Sequence, residues 1–496
     1  MTFSEYLRGL KGKQVTVIGA GVSNMPLIGA LLNAGIETKV CDKRSRAELA
    51  DMIGRYEPLG AVISCGEGYL DDIDAGVIFR TPGIMPSHPA IADAVRRGAT
   101  LTSEMEVFFD VCPCRIIAVT GSDGKTTTTS IISEILRKEG YTVHLGGNIG
   151  RPLLCEADGM RPGDIAVVEL SSFQLMTMAK SPDIAVITNV SPNHLDIHAG
   201  MDEYVNAKRS IFINQSGSCR VVLNADNVFT RKFADEALAE VLLFSSLESV
   251  RDGCFTLGGT VFESSGGKSR QLMPASDVLL PGAHNIENYM AAFCAVRGLA
   301  SRGAMLETAR TFEGVEHRLE FVRELRGVRY FNDSIASSPS RTIAGLRAFD
   351  RKVILIAGGK DKGVPFESLG REIALRVKEL VLTGPTAEAI RKAVLQSRES
   401  FHGGHEMQNA EGMQNEEDTQ TAAGMRPVHG KSNEYRATGL PQIIIIEDFE
   451  EAVLAASNAA VEGDIVLLSP ACTSFDRFRN FEERGELFRK IVKELI

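Results

Sequence analysis

Three short runs of mostly β-branched residues, each ending in glycine, organise the chain. They span residues 14–21, 116–121 and 352–359, and each gives way to a helical pattern. An apolar run of this length that ends in glycine predicts a buried strand. Because strands that alternate with helices form parallel sheets, the chain is predicted to be an α/β protein with three domains.

The predicted domains are an N-terminal Rossmann-like domain over residues 1–103, a central domain of the phosphate-loop ATPase type over 104–314 and a C-terminal Rossmann-like domain over 315–496. A connecting helix is predicted near Thr102, and residues 311–318 lie between a helix and a new pair of strands. A length of 496 residues also fits more than one domain.

The periodic pattern is lost between Gln396 and Gly439, where the residues are polar and repetitive. Such a composition cannot bury enough apolar surface to fold, so residues 397–438 are predicted to be a disordered insertion in the third domain. The apolar run that follows, Ile443–Ile446, predicts a buried strand.

The formal net charge of −10 argues against nucleic acid as the main partner, because proteins that bind it carry a basic face. No apolar run approaches the roughly 18 residues that a membrane span needs. The start of the chain has no signal-peptide pattern and the nine cysteines are scattered, so a cytoplasmic protein with reduced thiols is expected.

Residues 116–129 carry the most specific chemistry in the sequence: an apolar run, a Gly-x-x-Gly-Lys-Thr turn and a threonine-rich helix start. Glycines let backbone N–H groups face an anion, Lys125 can reach the β- and γ-phosphates, and Thr126 can hold Mg²⁺. This arrangement predicts a site for ATP or another nucleoside triphosphate. Its residues are Gly121, Ser122, Asp123, Gly124, Lys125, Thr126 and Thr127.

The first glycine turn is a weaker signal. Gly19-x-Gly21 follows a strand and Asp42 ends the next strand, as in dinucleotide-binding domains, but Asn24 occupies the third glycine position. Residues 80–84 form a second turn that could contact another part of a ligand. The domain could therefore bind NAD, bind another nucleotide in the same geometry, or bind no ligand.

An ordered series of independent motifs extends over nearly the whole chain. It includes Glu169-Leu-Ser-Ser-Phe-Gln, Asn189-Val-Ser-Pro-Asn-His-Leu-Asp196, Tyr204-x-x-Ala-Lys208, Asn332-Asp-Ser334 and Leu467-Leu-Ser-Pro-Ala-Cys-Thr-Ser. This series resembles the Mur ligase family. The resemblance implies an ATP-dependent ligase of peptidoglycan precursor synthesis, which adds D-glutamate to UDP-N-acetylmuramoyl-L-alanine through an acyl phosphate. It also implies two Mg²⁺ ions and a monomer that acts on small molecules.

The same resemblance implies a catalytic centre in which Lys125 and Arg318 hold the reacting anions in line. Because an ammonium group repels a metal ion, Lys208 would first be carbamylated by CO₂, which makes it a carboxylate-like ligand. The required deprotonation costs roughly 4–5 kcal/mol at pH 7 for an ordinary lysine. The implied metal ligands are Thr126 and Glu169 for one ion, and His194 and Lys208 for the other.

The resemblance also implies three sets of binding residues. For ATP, Asn285, Arg318 and Asp333 join the phosphate loop. The UDP-linked substrate would be held by Gly19, Ser23, Asp42, Lys43, Arg44 and Thr81, with Asn148 and His194 at its muramoyl-alanine end. D-glutamate would be held by Ser337, Lys362, Thr473, Ser474 and Phe481, whose cation and hydroxyls suit two carboxylates.

One departure from the family pattern stands at Ile335, where a lysine is expected, so a charge that could steady a substrate carboxylate is missing. Ser337 replaces a threonine and Asp123 replaces an asparagine, which are milder changes. Three rivals remain: a related ligase that adds glutamate to folate, a nucleotide-dependent switch or binding protein, and an NAD oxidoreductase, against which Asn24 counts.

Overall fold

The computed structural model describes residues 1–192, 197–361, 363–402 and 440–496. The predicted site residues His194 and Lys362 lie outside the described residues, as does most of the predicted insertion. Within the described ranges, none of the helices combines the length and the apolar composition that crossing a bilayer requires.

The chain forms two compact units, one of Met1–Leu279 with His284–Phe312 and one of Leu280–Ala283 with Glu313–Ile496. The first unit contains two separate sheets and the second contains one. The predicted α/β class with three sheets is therefore confirmed.

The N-terminal part of the first unit is built on a five-stranded parallel sheet. Its elements are α1 (Phe3–Gly9), β1 (Val15–Ile18), α2 (Asn24–Asn33), β2 (Thr38–Asp42), α3 (Ala50–Tyr56), β3 (Val62–Cys65), β4 (Val77–Arg80), α4 (Pro89–Arg96) and β5 (Thr100–Thr102). The strand order is β3-β2-β1-β4-β5. All four residues of β1 are buried, as its β-branched run predicts for a central strand.

The connecting helix predicted near Thr102 is α5 (Glu104–Val111). It begins after Ser103, whose Oγ accepts the backbone N–H of Glu106 at 3.2 Å and so caps the helix. Glu104 binds the next part of the unit, because its Oε1 accepts the N–H of Leu154 at 3.0 Å.

The rest of the first unit is built on a nine-stranded sheet. Its elements are β6 (Arg115–Thr120), α6 (Lys125–Lys138), β7 (Val143–Gly147), β8 (Ile165–Glu169), α7 (Ser172–Leu175), β9 (Ile184–Ile187), α8 (Met201–Arg209), β10 (Arg220–Asn224), α9 (Val228–Phe233), β11 (Glu240–Ser245), β12 (Gly253–Leu257), β13 (Thr260–Ser265), β14 (Lys268–Pro274), α10 (Ala283–Ala295) and α11 (Arg302–Thr311). The order is β14-β13-β12-β11-β10-β9-β6-β8-β7. In this sheet, β13 pairs antiparallel with both β12 and β14. The prediction of a purely parallel sheet is wrong for this part of the chain.

The second unit is built on a six-stranded sheet. Its elements are β15 (Glu320–Leu325), β16 (Val328–Asn332), α12 (Pro339–Arg347), β17 (Val353–Ala357), α13 (Glu367–Arg376), β18 (Val377–Leu382), α14 (Ala387–His402), β19 (Gln442–Ile445), α15 (Phe449–Ala459), β20 (Ile465–Leu468) and α16 (Phe481–Glu494). The order is β15-β16-β20-β17-β18-β19, with only the β15–β16 pair antiparallel.

Two sequence predictions about this unit are wrong in detail. The run at Ile443 is not a buried strand, because β19 lies at the sheet edge and Ile445 is 49% exposed. The insertion does not begin at residue 397, because α14 continues to His402 and Ser397 is buried. A polar helix end has the composition of a loop, which explains the misplaced boundary.

Replacing residues 403–439 by a Gly/Ser linker of about ten residues should leave the melting temperature and the catalytic rate nearly unchanged, because the segment lacks the apolar periodicity of a core element. A matched deletion that starts at Ser397 removes the end of α14, including the bond from Ser397 Oγ to the Val394 carbonyl at 2.7 Å, and should lower the melting temperature. Equal losses in both variants would show that the segment contributes to the fold.

Candidate active site

The predicted phosphate loop joins β6 to α6, and two of its glycines are required by the backbone. Gly121 has φ 151° and Gly124 has φ 77°, conformations that other residues rarely adopt. A Cβ at Gly121 would lie 1.9 Å from Thr188 Oγ1, and one at Gly124 would lie 2.3 Å from Asn288 Oδ1. At these two positions the loop therefore passes too close to its neighbours for a side chain.

Lys125, at the start of α6, folds back over this loop. Its Nζ donates to the carbonyls of Gly121 at 3.0 Å and Ser122 at 2.9 Å. The side chain of Asp123 is exposed, while its N–H donates to Asn189 Oδ1 at 3.0 Å. The loop is thus framed by its own backbone, and the ammonium group lies where a phosphate could replace the two carbonyls.

Oxygen ligands for a metal ion meet beside the loop, because β6 and β8 are neighbouring parallel strands whose carboxyl ends lie together. Thr126 Oγ1 donates to Glu169 Oε2 at 2.7 Å, and Asn148 Nδ2 donates to Glu169 Oε1 at 2.8 Å. Hydroxyl and carboxylate oxygens are ligands that suit Mg²⁺, so Thr126 and Glu169 fit the implied ion.

Lys208 lies on α8 and is only 1% exposed. Its Nζ donates to the Gly121 carbonyl at 2.8 Å and lies 4.6 Å from the centre of the Tyr204 ring. Burial, together with the positive charge of Lys125, lowers the pKa of Lys208 to about 7. Burial next to the phosphate loop therefore favours the neutral amine of Lys208.

His198 connects two elements of the candidate site, and the sequence analysis did not identify it. Its Nε2 lies 3.0 Å from Ser172 Oγ and its Nδ1 lies 2.9 Å from Glu203 Oε1, while its ring stacks on Phe173 at 4.9 Å. These contacts join α7, which follows Glu169, to α8, which carries Lys208. The one feature of the sequence that could have indicated His198 is its position between the Asn189–Asp196 motif and Lys208.

Asn285, which is predicted to bind ATP, lies on α10 next to the phosphate loop. Asn288 Nδ2 donates to Asn285 Oδ1 at 3.1 Å, and Thr128 Oγ1 donates to Asn288 Oδ1 at 3.2 Å. Since Asn288 also lies against Gly124, these amides hold α10 against the start of α6. Asn285 is thereby placed beside the phosphate loop.

The first glycine turn is closed by a different set of bonds. Asn24 Nδ2 donates to the Gly19 carbonyl at 2.8 Å, which explains why the third glycine of the dinucleotide pattern is absent. A Cβ at Gly19 would lie 2.8 Å from Thr81 Cγ2, so the two predicted turns touch. This contact brings Gly19 and Thr81 together.

Asp42 lies at the end of β2 in the same site. Burial opposes its ionisation, but hydrogen bonds from Arg44 and from the N–H of Ala20 lower the pKa of Asp42 to about 2. The Asp42 carboxylate binds Arg44 Nε at 3.0 Å and Nη2 at 2.8 Å. Ser23 is half-buried and Lys43 is exposed, so their side chains are accessible to a ligand.

Arg80, which the sequence analysis did not single out, connects this turn to the phosphate-loop region. It is buried at the end of β4, and its Nη1 donates to the Ile84 carbonyl at 2.7 Å. Its Nη2 donates to the Phe173 carbonyl at 2.9 Å, within α7. Such a contact between residues 93 positions apart leaves no local pattern in the sequence.

In the second unit, Asp333 follows β16 and is fully enclosed. Its Oδ2 accepts Ser469 Oγ at 2.8 Å and its Oδ1 accepts the Leu319 N–H at 3.2 Å. Burial raises the pKa of Asp333 to about 7, although those bonds and the charges of Arg318 and Arg341 act in the opposite direction. Asp333 thus holds the segment that carries Arg318.

Backbone strain marks the same region. His317 at φ 63° and Leu319 at φ 42° flank Arg318, and Ala471 has φ 61°. Left-handed conformations of residues other than glycine persist only where the surroundings enforce them, and they concentrate at functional sites. Here the N–H of His317 donates to Glu320 Oε2 at 2.8 Å and holds the strained turn.

Three of the predicted amino-acid-binding residues lie near Arg484, another residue that was missed. Arg484 Nε donates to Ser334 Oγ at 3.0 Å and Nη2 donates to the Cys472 carbonyl at 3.2 Å, while Ser334 Oγ donates to the Phe481 carbonyl at 2.8 Å. Burial lowers the pKa of Arg484 to about 10. The residues assembled in this way are Thr473 and Ser474, next to Cys472, and Phe481; Ser337 follows Ser334 in the same loop.

Within the described ranges, no three His, Cys, Asp or Glu side chains cluster so as to hold a metal ion. A metal ion beside Glu169 would therefore need the Thr126 hydroxyl and further ligands that are not His, Cys, Asp or Glu side chains of the described residues. The roles given to individual site residues remain predictions.

Comparisons with known proteins point to one family. The family described as Mur ligase middle domain matches residues 119–296, and that described as Mur ligase, glutamate ligase domain, matches residues 317–472. Together these matches cover more than half of the chain.

Relatives match along the full length. The UDP-N-acetylmuramoylalanine–D-glutamate ligase of Acetivibrio thermocellus is 44% identical over 493 residues, which cover 99% of this chain and 98% of the relative. The ligase of the same name from Clostridium novyi is 44% identical over 496 residues, with 100% and 99% covered.

Solved structures share the fold. The UDP-N-acetylmuramate-alanine ligase MurC of Thermotoga maritima aligns with a TM-score of 0.53 at 17% identity, over 97% of this chain and 99% of that chain. A pseudomurein peptide ligase type C of Methanothermus fervidus aligns with a TM-score of 0.51, also at 17% identity, over 97% and 100%.

Proposed function

Because this chain belongs to the Mur ligase family, we propose that it adds D-glutamate to UDP-N-acetylmuramoyl-L-alanine at the expense of ATP, in peptidoglycan precursor synthesis. The relatives that match its full length carry this activity in their names. The observation that carries the proposal is the cluster beside the phosphate loop, where Lys125, the Thr126–Glu169 pair and the buried Lys208 meet.

The reaction transfers a phosphoryl group between two anions and then exchanges it for an amine. An oxygen of the substrate carboxylate attacks the γ-phosphorus of ATP and ADP leaves, which produces an acyl phosphate. The amine of D-glutamate then attacks the acyl carbon, loses a proton, and displaces phosphate. Lys125 lowers the first barrier because its charge lies at the loop that holds the phosphates.

We further propose two Mg²⁺ sites in this centre, with Thr126 and Glu169 as ligands of one and His194 and Lys208 as ligands of the other. Mg²⁺ would neutralise the charge of the transferring phosphoryl group. The contact between Thr126 and Glu169 supports the first site. The second requires Lys208 as a carbamate, formed when its neutral amine adds to CO₂ with loss of a proton.

The lowered pKa of Lys208 supports that modification. With an ordinary pKa near 10.4, only about one lysine in several thousand is neutral at pH 7. With a pKa of about 7, roughly half of the Lys208 side chains would be neutral at that pH. Burial therefore lowers the free energy needed to deprotonate Lys208 before CO₂ can add to it.

The UDP-linked substrate is proposed to lie along the first unit. Its nucleotide would bind at the turn of Gly19 and Thr81, near Arg44, and its muramoyl-alanine end would reach Asn148. The connection from the 80–84 turn through Arg80 to α7 supports this path. Since the substrates are small, polar and nucleotide-linked, we propose a cytoplasmic enzyme, and a monomer because one chain supplies every candidate residue.

The second unit is proposed to select D-glutamate, through Ser337, Lys362, Thr473, Ser474 and Phe481. The turnover efficiency with D-glutamate should exceed that with L-glutamate, L-alanine or meso-diaminopimelate by at least about 10²-fold. Inverting the α-carbon moves either the amine or a carboxylate, and buried donors then lose their partners.

The test is kcat/KM for each amino acid with saturating ATP and UDP-N-acetylmuramoyl-L-alanine. Equal efficiency with L-glutamate, or better turnover of diaminopimelate, would refute the D-glutamate assignment. Glutamate-dependent turnover with a folate in place of the UDP-linked substrate would instead favour the folate ligase.

A further inference from the structure

Arg341 lies in the first turn of α12, beside the candidate amino-acid site of the second unit. The next residue, Thr342, anchors this helix, because its Oγ1 donates to the Ser469 carbonyl at 3.2 Å. A Cβ at Gly345 would lie 2.9 Å from Asp333 Oδ2, so the helix approaches the end of β16 closely. The position of Arg341 is therefore fixed by buried neighbours.

Arg341 is exposed at this edge. Its Nη1 donates to the Ile335 carbonyl at 3.2 Å, which is its only hydrogen bond among the described residues. None of the carboxylates in those ranges forms an ion pair with it, although its charge also favours the ionised form of Asp333. Because a guanidinium carries five N–H donors, most of them remain available to an anion.

Helix stability does not explain an arginine at this position. The first turn of α12 contains no acidic residue, and a cation there is repelled by the positive end of the helix dipole. The neighbouring loop contains Ser337, a candidate ligand of the amino acid, and its Ser334 binds Arg484 and the Phe481 carbonyl. An accessible cation therefore stands at the rim of a site meant for a dicarboxylate.

We propose that Arg341 binds a carboxylate of the incoming amino acid and provides the positive charge that Ile335 lacks. This inference rests on the proposed function, because it takes D-glutamate as the ligand of the second unit. The chemistry is a charge-assisted hydrogen bond between guanidinium and carboxylate. It would add a second cation to the proposed Lys362, since the hydroxyls of Ser337 and of the Thr473–Ser474 segment carry no charge. Arg318 is assigned to ATP, so the two arginines differ in their ligands.

The test compares R341M, R341K and R371M in the full-length enzyme. Arg371 is an exposed arginine on α13 and serves as the matched control. R341M should raise KM for D-glutamate about 10–100-fold, the range for one charge-assisted contact, with a smaller change in kcat and in KM for ATP. R341K should recover part of the loss because it retains the charge, and R371M should stay within about twofold of the wild type.

Three results would overturn the proposal: a KM for D-glutamate in R341M within twofold of the wild type, a rise confined to KM for ATP, or R341K as impaired as R341M. Thermal shift on addition of D-glutamate gives a second readout, in which R341M alone should lose the ligand-induced rise. Failure of the proposed function is distinct, since the wild type would then show no turnover with D-glutamate.

Discussion

Replacing Lys125 with alanine should reduce kcat at least about 10²-fold and leave the melting temperature nearly unchanged. The lysine ammonium is needed most while the phosphoryl group moves, and the loss of one preorganised electrostatic donor typically costs this much, or about 2.7 kcal/mol. The fold should persist because the loop is held by other bonds, such as Ser122 Oγ to the Ser191 carbonyl at 2.9 Å.

Arg137, an exposed cation in the last turn of the same helix, offers the control. R137A removes one positive charge from α6 without touching the loop, so its kcat should match that of the wild type. The measurement is phosphate release under saturating substrates, with melting curves for each variant. If K125A retained half of the wild-type kcat, the assignment of the phosphate loop would be wrong.

Replacing Lys208 with alanine should also reduce kcat at least about 10²-fold, because a metal ligand would be lost from the phosphoryl-transfer centre. Acetate should restore part of the activity, since its carboxylate can occupy the space that the carbamate leaves. Arg209, next on α8 and paired with Glu236, provides the control: R209A should keep its activity and should not respond to acetate.

The pH dependence of the wild type adds a second test of Lys208. The amine must be neutral to add CO₂, and its pKa is lowered to about 7. At low bicarbonate, activity should therefore fall as the pH drops below about 7, and added bicarbonate should partly offset the loss. A fully active K208A variant, or a lysine that remains a free amine by mass and in electron density at high CO₂, would contradict the carbamate.

Local pattern was enough to predict most of the fold. The strand before the phosphate loop, the capped helix at Ser103 and the central strand at Val15 all follow from short apolar runs and their neighbours. The edge position of β19 could not be predicted, since an apolar run does not reveal how many neighbours a strand will have. The end of α14 was misplaced because a polar helix end resembles a loop in composition.

The candidate site was predicted where motifs are contiguous and missed where contacts are distant. Lys125 and Thr126 belong to one turn whose chemistry can be recognised from its spacing. Arg80, His198 and Arg484 act through partners that are 93, 26 and 150 positions away, so no local pattern identifies them. The near-neutral pKa of Lys208 likewise arises from tertiary burial and could not be derived from the sequence.

The most direct test of the central claim uses UDP-N-acetylmuramoyl-L-alanine with ¹⁸O in its free carboxylate. With ATP and D-glutamate, we expect a product heavier by one glutamate residue and one ¹⁸O atom in each released phosphate, because the attacking oxygen leaves with the phosphoryl group. Phosphate without ¹⁸O would contradict the acyl phosphate. Release of phosphate with no glutamate in the UDP-linked product would contradict the ligase.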